Sequence, residues 1–119
     1  MIPNEYELML GNYVIDELTG EWMEVTELAV NRIVATVINR DKFPLPDGWK
    51  MAPIPLTQEV IKRFPFSKSN DLYRYAMFSF FAEDDFFIFY DGSIRTRLDY
   101  VHQLQNLFYT ITGKRLKLI

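Results

Sequence analysis

The chain has no cysteine and one histidine among its 119 residues. The lack of cysteine excludes disulfides, iron–sulfur clusters, thiolate zinc sites and thiol nucleophiles. A single histidine excludes a metal site built from several histidines of one chain. The five glycines are scattered singly, which excludes a glycine-rich phosphate loop. His102 is therefore the one conventional acid–base side chain for work near neutral pH.

Long apolar runs are also missing. The most apolar stretch, Tyr75–Tyr90, is interrupted by three acidic residues at positions 83–85, and no window approaches the roughly 20 apolar residues of a membrane-spanning helix. Met1–Leu10 has neither a basic region nor a long apolar run, so no secretory signal is expected there. These absences predict a cytoplasmic protein without a membrane partner.

Positive charge is missing from the first thirty residues, which carry seven acidic side chains and no Lys or Arg. The remaining residues carry nine acidic and 13 basic side chains. The net charge of -3 is therefore the sum of a negatively charged first part and a positively charged remainder. Such a division indicates separate partners for the two parts, complementary faces of one domain, or simple solvation. The hydrophobic fraction of 49% is typical of a soluble globular chain.

The first part of the chain predicts an antiparallel β meander. Gly11–Asp16 and Glu21–Leu28 are predicted strands on either side of a turn at 18–20, and Arg32–Ile38 is predicted as a central strand because it is apolar on both faces. Four prolines within Asp41–Pro55 predict a loop. Thr57 then predicts the N-cap of a short helix that ends by Phe64.

The second part predicts aromatic strands and one long helix. Leu72–Phe81 and Phe86–Tyr90 are predicted strands joined by an acidic hairpin, and Asp91-Gly92 predicts a type I′ turn into Ser93–Leu98. In Ser93–Leu98, Ile94, Thr96 and Leu98 are predicted to share a buried face. Asp99 is a predicted N-cap for Tyr100–Thr112, with Gly113 as its stop and 115–118 as a short edge strand.

The predicted fold class is therefore α+β, with small antiparallel β meanders, a short central helix, and a C-terminal amphipathic helix packed on the sheet. The length favours one domain spanning 1–119. An alternative subdivision has an N-terminal meander at 1–40, a Pro-rich connection at 41–52, and a helix-plus-strands half at 53–119.

Catalytic and metal hypotheses rest on few residues. His102 lies near Asp99 in the predicted helix, so a hydrolase needs this pair plus a serine from elsewhere in the chain. The acidic segment 83–85 with Asp91 offers oxygen ligands for a hard cation, but its spacing does not match an EF-hand loop. The same charges also keep two very apolar strands from pairing with other chains. We assign no catalytic, cofactor-binding or metal residue on this basis.

The polar face of the predicted C-terminal helix is unusual because none of its side chains carries a permanent charge. Uncharged groups that can hydrogen-bond are cheaper to bury than ions. This face either docks on a protein partner or second copy of the chain, or packs inside the protein. The candidate interface consists of His102, Gln103, Gln105, Asn106 and Thr110.

A nucleic-acid surface is the alternative, because basic residues cluster toward the end of the sequence. The acidic first third opposes it, since it repels a polyanion. The candidate contacts are Arg95, Arg97, Lys114, Arg115 and Lys117.

Three blocks of the sequence resemble a group of small proteins common in phages, prophages and mobile elements of gut anaerobes. They are Leu10–Val14, Pro53–Thr57 with Glu59 and Phe64, and Tyr100–Leu107 with Thr112-Gly113. The chain departs from the group's pattern at Gln58, Val60 and Lys114-Arg115. The resemblance implies no reaction and no ligand residue. It implies an intracellular accessory protein, which favours a small interaction module over an enzyme.

Overall fold

A computed structural model describes residues 8–29, 32–37 and 51–119. The chain forms two compact units, residues 1–54 and 55–119. Each contains an antiparallel sheet, and the second also contains both helices of the described residues. The predicted α+β class, with a C-terminal helix packed on a sheet, is confirmed. Within these ranges neither helix is long and apolar enough to cross a membrane.

The first unit contains a sheet with the strand order β3-β2-β1-β4. These strands span Tyr13–Asp16 (β1), Trp22–Ala29 (β2), Arg32–Val37 (β3) and Met51–Ala52 (β4). The meander predicted for β1 to β3 is confirmed. The central position predicted for β3 is wrong, because β4 pairs with β1 and leaves β3 at the edge of the described sheet.

Met51 was predicted in a loop, but it lies in β4 opposite Asp16. Residues 41–50 of the predicted Pro-rich loop lie outside the described residues. Pairing with β1 provides hydrogen-bond partners for backbone groups of β4 that would bond to water in a loop. The side chain of Met51 then joins a buried apolar cluster with Leu8, Val14, Met23 and Val25.

The second unit begins with the short helix α1, Gln58–Ile61. The predicted cap is confirmed, since the hydroxyl of Thr57 accepts a hydrogen bond from the Val60 N–H at 3.2 Å. A five-stranded meander follows in the order β5-β6-β7-β8-β9. Its strands are Ser67–Ser69 (β5), Leu72–Tyr75 (β6), Phe78–Ala82 (β7), Phe87–Asp91 (β8) and Ile94–Leu98 (β9).

The prediction of one strand over Leu72–Phe81 is wrong. The segment is a hairpin in which Tyr75 pairs with Phe78, so Ala76 and Met77 form its two-residue turn. Strand β5 was not predicted, because Ser67–Ser69 is polar and exposed and carries no hydrophobic alternation.

The β8–β9 turn is displaced by one residue from its prediction. Asp91 pairs with Ile94, so the turn residues are Gly92 and Ser93. Gly92 has a φ of 60°, while Ser93 is not in the positive-φ region, as in a type II′ turn. The other two-residue turns of this sheet also begin with positive φ, at Asn70 (55°) and Ala76 (54°). Alanine is the least suited of the three to this conformation.

We expect Ala76→Gly to raise the free energy of unfolding by about 0.5 kcal/mol. The left-handed conformation costs an L-residue roughly 1–2 kcal/mol, and the greater freedom of glycine in the unfolded chain offsets part of that gain. Urea unfolding followed by circular dichroism measures the difference. Ala82→Gly in β7, where φ is not positive, is the control and should lower stability by about 0.5–1 kcal/mol. Loss of stability in both variants would contradict the proposed strain at Ala76.

Helix α2 spans Val101–Thr112 and packs on the five-stranded sheet. Its N-cap is Tyr100 rather than the predicted Asp99. The amide oxygen of Gln103 accepts hydrogen bonds from the N–H groups of Asp99 (2.8 Å) and Tyr100 (3.1 Å), so a side chain within the helix satisfies these donors. The predicted stop at Gly113 is confirmed by its φ of 74° and its N–H bond to the Tyr109 carbonyl.

The edge strand predicted at 115–118 is wrong, since these residues form no strand. They lie instead in an irregular segment held at two points. The carbonyl of Leu116 accepts a hydrogen bond from Gln105, and the N–H of Ile119 donates to the carbonyl of Arg63. Leu116 itself is buried. The segment is therefore held by the burial of this side chain and by the hydrogen bond from Gln105, not by strand pairing.

Candidate binding surface

Two residues of the predicted polar interface lie inside the protein. His102 and Gln105 are 1% and 5% exposed. The amide nitrogen of Gln105 donates to the Leu116 carbonyl at 3.2 Å, and the His102 ring stacks on Tyr100 with centroids 5.7 Å apart. Of the two alternatives left open by the sequence, internal packing therefore applies to these two residues. They are not available to a partner at the surface.

The other three interface candidates are more accessible but partly engaged. Gln103 is half-buried and caps the helix through its amide oxygen. Asn106 is half-buried, and its carbonyl accepts a hydrogen bond from the exposed Thr110 hydroxyl at 2.9 Å. The predicted interface therefore consists of an internal pair and of an outer group in which Gln103 and Thr110 hydrogen-bond to backbone groups of α2 and its N-terminus.

The acid–base pair required by the hydrolase hypothesis does not form. The carboxylate of Asp99 accepts a hydrogen bond from Arg97 Nε at 2.7 Å, while His102 points into the interior. Asp99 is exposed and therefore lies in a different environment from His102. The geometry offers this hypothesis no support.

The acidic hairpin between β7 and β8 also has a local explanation. Its backbone closes through the Glu83 N–H bond to the Phe86 carbonyl, and the Glu83 carboxylate accepts a hydrogen bond from the Tyr90 hydroxyl at 3.1 Å. Across the part of the chain that the structure describes, no group of three or more Asp, Glu or His side chains converges as metal ligands do.

The five basic candidates lie on two different segments of the second unit. Arg95 and Arg97 lie on β9, whereas Lys114, Arg115 and Lys117 follow α2 in the irregular C-terminal segment. That segment is held beside α2 and α1 through its bonds to Gln105 and Arg63. The guanidinium of Arg115 lies 5.9 Å from the centroid of the Tyr109 ring on α2.

One face of the five-stranded sheet is covered by α2. Phe108 of α2 contacts Phe78 and Tyr75 of the sheet, with ring centroids 5.4 and 5.6 Å apart. Tyr73, Phe80, Phe87 and Phe89 lie on this same face by strand register and are buried. Most of the aromatic side chains of this sheet therefore fill a core.

We call the opposite side of this sheet the open face. Alternation along β6 to β9 assigns eight residues to it: Leu72, Arg74, Ser79, Phe81, Ile88, Tyr90, Arg95 and Arg97. Leu72, Phe81, Ile88 and Arg97 form one continuous row across the four strands, because each is paired with the next.

The open face combines exposed aromatic rings with arginines. Phe81 and Tyr90 are 38% and 40% exposed, and their centroids are 5.6 Å apart in an edge-to-face arrangement. The guanidinium of Arg95 lies over Tyr90 at 5.4 Å, and that of Arg97 over Phe86 at 4.6 Å. Arg74 is exposed on the neighbouring strand β6.

Strand β9 does not bury the face that its alternation predicts. Ile94 and Thr96 are exposed, and only Leu98 is buried. The reason is that β9 is the last strand of the sheet, and the short contact with α2 covers only its Leu98 end. Arg95 and Arg97 do lie on the other face of β9, as the alternation predicts.

Negative charge lies at one margin of the open face. Asp99 follows β9 and pairs with Arg97, and Glu83 follows β7 and binds the Tyr90 hydroxyl. Among the described residues, Arg74 and Arg95 make no ion pair with a carboxylate. The open face therefore has an anion-attracting side at Arg74 and Arg95 and a compensated side at Arg97.

Comparison of the chain with protein-family models, with curated proteins and with solved structures found no match. The three sequence blocks that carry the phage-protein resemblance all have folding roles in the structure. In the first block, the side chain of Asn12 is buried and accepts the Met9 N–H at 2.6 Å. The second block supplies the Thr57 cap, and the third supplies the buried side of α2. The open face lies outside all three.

Proposed function

We propose that this chain is a non-enzymatic binding module, an accessory protein of a phage or mobile element that acts in the cytoplasm. Its binding site is the open face, and its partner carries negative charge there. The observation that carries the proposal is a solvent-exposed sheet surface on which three arginines surround two half-exposed aromatic rings.

The residue types on the open face are those that contribute most to binding. Arginine, tyrosine and other aromatic residues dominate the energy of many interfaces because they combine a large apolar area with directional polar groups. A solvated face with no partner more often carries lysine and glutamate. Ile88 lies in the same row as Phe81 but is buried, so the exposed rings and arginines are the groups that this face offers to a partner.

Charge supports a negatively charged partner for this unit. Residues 55–119 carry nine basic and seven acidic side chains, whereas residues 1–54 carry four basic and nine acidic ones. Arg74 and Arg95 are exposed, and neither is compensated by a carboxylate among the described residues. Both are therefore available to an anion of the partner.

The biological context rests on the sequence resemblance alone. The resembling group is associated with phages and mobile elements, and an intracellular location is what that resemblance implies. A non-enzymatic role is favoured because the conventional acid–base residue, His102, is buried and the Asp99 carboxylate pairs with Arg97.

Retention on a heparin column tests the proposed site. We expect Arg74→Gln/Arg95→Gln to elute at lower salt than the parent protein, because each lost anion contact lowers the salt slope of binding by about 1. The matched control is Lys114→Gln/Lys117→Gln, which removes the same charge from the C-terminal segment. Elution of the control should stay close to that of the parent.

Two results would overturn the site. A larger shift for the lysine control would assign anion binding to the C-terminal segment. No retention of the parent protein at low salt would contradict an anion-binding face altogether. Circular dichroism spectra of both variants should match the parent, since all four positions are exposed.

A further inference from the structure

We infer that the open face binds single-stranded nucleic acid, with bases stacked on Phe81 and Tyr90 and phosphates at Arg74 and Arg95. This inference rests on the proposed function and specifies its partner. It places the nucleic-acid site on the sheet, and it includes two aromatic residues and one arginine that the sequence did not single out.

The two exposed rings are suited to stacking because they stand side by side on adjacent strands. Phe81 lies on β7 and Tyr90 on β8, with a centroid separation of 5.6 Å and an interplanar angle of 75°. Both retain more than a third of their surface in solvent. Base–aromatic stacking tolerates any sequence because every base has a π face.

The arginines flank these rings on both sides. Arg74 lies on β6 and Arg95 on β9, three strand spacings apart, or about 14 Å. The Arg95 guanidinium carbon lies 5.4 Å from the Tyr90 centroid, a cation–π contact that uses the charge and leaves the N–H groups for a phosphate. A strand of nucleic acid that crosses β6 to β9 therefore meets a cation, two rings and a second cation.

The acidic margin sets the path of the strand. Glu83 and Asp99 both lie beyond the row formed by Phe81, Ile88 and Arg97. Phosphates are repelled there and attracted along the row of Arg74 and Arg95. The Tyr90 hydroxyl is held by Glu83, which fixes the orientation of the ring before any base binds.

A single strand fits this surface better than a duplex does. The bases of a duplex are stacked on each other, so their faces are not available to Phe81 or Tyr90. Reading a duplex needs an element that enters a groove, and a broad five-stranded face is too wide for the major groove. An acidic peptide would use the arginines, but its Asp and Glu side chains have no aromatic face to stack on the rings.

Fluorescence anisotropy with a labelled pyrimidine-rich oligonucleotide tests the inference, using single-stranded DNA, single-stranded RNA and the matching DNA duplex. We expect at least one of the single strands to bind more tightly than the duplex. Phe81→Leu and Tyr90→Leu keep apolar volume and remove the ring, so each should weaken binding by roughly 5- to 140-fold. The control is Tyr109→Leu on α2, which is also 40% exposed and should leave binding unchanged.

The outcomes separate this inference from the proposed function. The leucine variants keep Arg74 and Arg95, so their retention on heparin should match the parent. Arginine-dependent retention on heparin without a single-strand preference, or without loss on Tyr90→Leu, would overturn the inference and leave the binding module intact. Equal binding of polyglutamate at the same arginines would assign the face to an acidic protein. Retention that does not depend on the arginines would overturn both.

Discussion

Replacement of Phe108 by alanine is expected to destabilise the second unit by about 3–5 kcal/mol. Phe108 is 1% exposed and joins α2 to the sheet. Its ring contacts Tyr75, Phe78 and Phe66, with centroids 5.6, 5.4 and 6.4 Å away. Truncation removes this apolar contact and leaves a cavity that the surrounding rings fill only in part. A loss of this size is a large share of the total stability of a typical domain.

Urea unfolding followed by far-ultraviolet circular dichroism measures this loss. Phe108→Leu keeps most of the volume and should cost about 1–2 kcal/mol. Tyr109→Ala removes the neighbouring, exposed ring and should change stability by about 0.5 kcal/mol or less. Similar losses for Phe108→Ala and Tyr109→Ala would contradict the packing of α2 on the sheet.

Replacement of Asp16 by alanine is expected to destabilise the first unit by about 2–3 kcal/mol. Its carboxylate is fully buried and organises the turn between β1 and β2. One oxygen accepts the Leu18 N–H at 3.2 Å, and the other accepts the Thr19 hydroxyl at 2.8 Å. Alanine leaves both donors without this acceptor, and hydrogen bonds to a charged group are stronger than neutral ones.

Tryptophan fluorescence is the selective probe for this variant. Trp22 and Trp49 both lie in residues 1–54, and residues 55–119 contain no tryptophan. The control is Glu17→Ala, the adjacent exposed acidic residue, which should shift the urea midpoint little. Asp16→Asn keeps one acceptor oxygen and should fall between the two. If Glu17→Ala were as destabilising as Asp16→Ala, net charge rather than the turn would be the cause.

The elements that could be predicted from sequence are those with strong local signals. The Thr57 cap, the Gly113 stop and the meander of β1 to β3 each follow from residues within a few positions. Strand order does not. Strand β3 (Arg32–Val37) is rich in β-branched residues. It lies at an edge of the described sheet because Met51–Ala52, more than a dozen residues later, pairs with β1. No local pattern contains that pairing.

The sequence does not predict the open face because it does not predict the turn between β6 and β7. If Leu72–Phe81 is taken as a single strand, Tyr73 and Phe81 share a face. The turn at Ala76 and Met77 changes this alternation and puts Tyr73 with Phe80, leaving Phe81 with Arg74 on the other side. Ala76 gives no sequence signal for a positive φ, which is why the open face could not be predicted.

Part of that face was visible in the sequence. The alternation of Ser93–Leu98 placed Arg95 and Arg97 together, and the register confirms it. Lys114, Arg115 and Lys117 lie instead in the C-terminal segment, whose hydrogen bonds with Gln105 and Arg63 are tertiary contacts that no local pattern contains. The burial of His102 and Gln105 has the same origin, because an uncharged polar face is compatible with either solvent or the interior.

An NMR map of backbone-amide shift changes determines whether the open face is the binding surface. The isotope-labelled protein is titrated with a short single-stranded oligonucleotide at low salt. We expect the largest shift changes on β6 to β9, around Arg74, Phe81, Tyr90 and Arg95. Changes confined to residues 114–117, or to the exposed side of α2, would contradict this expectation.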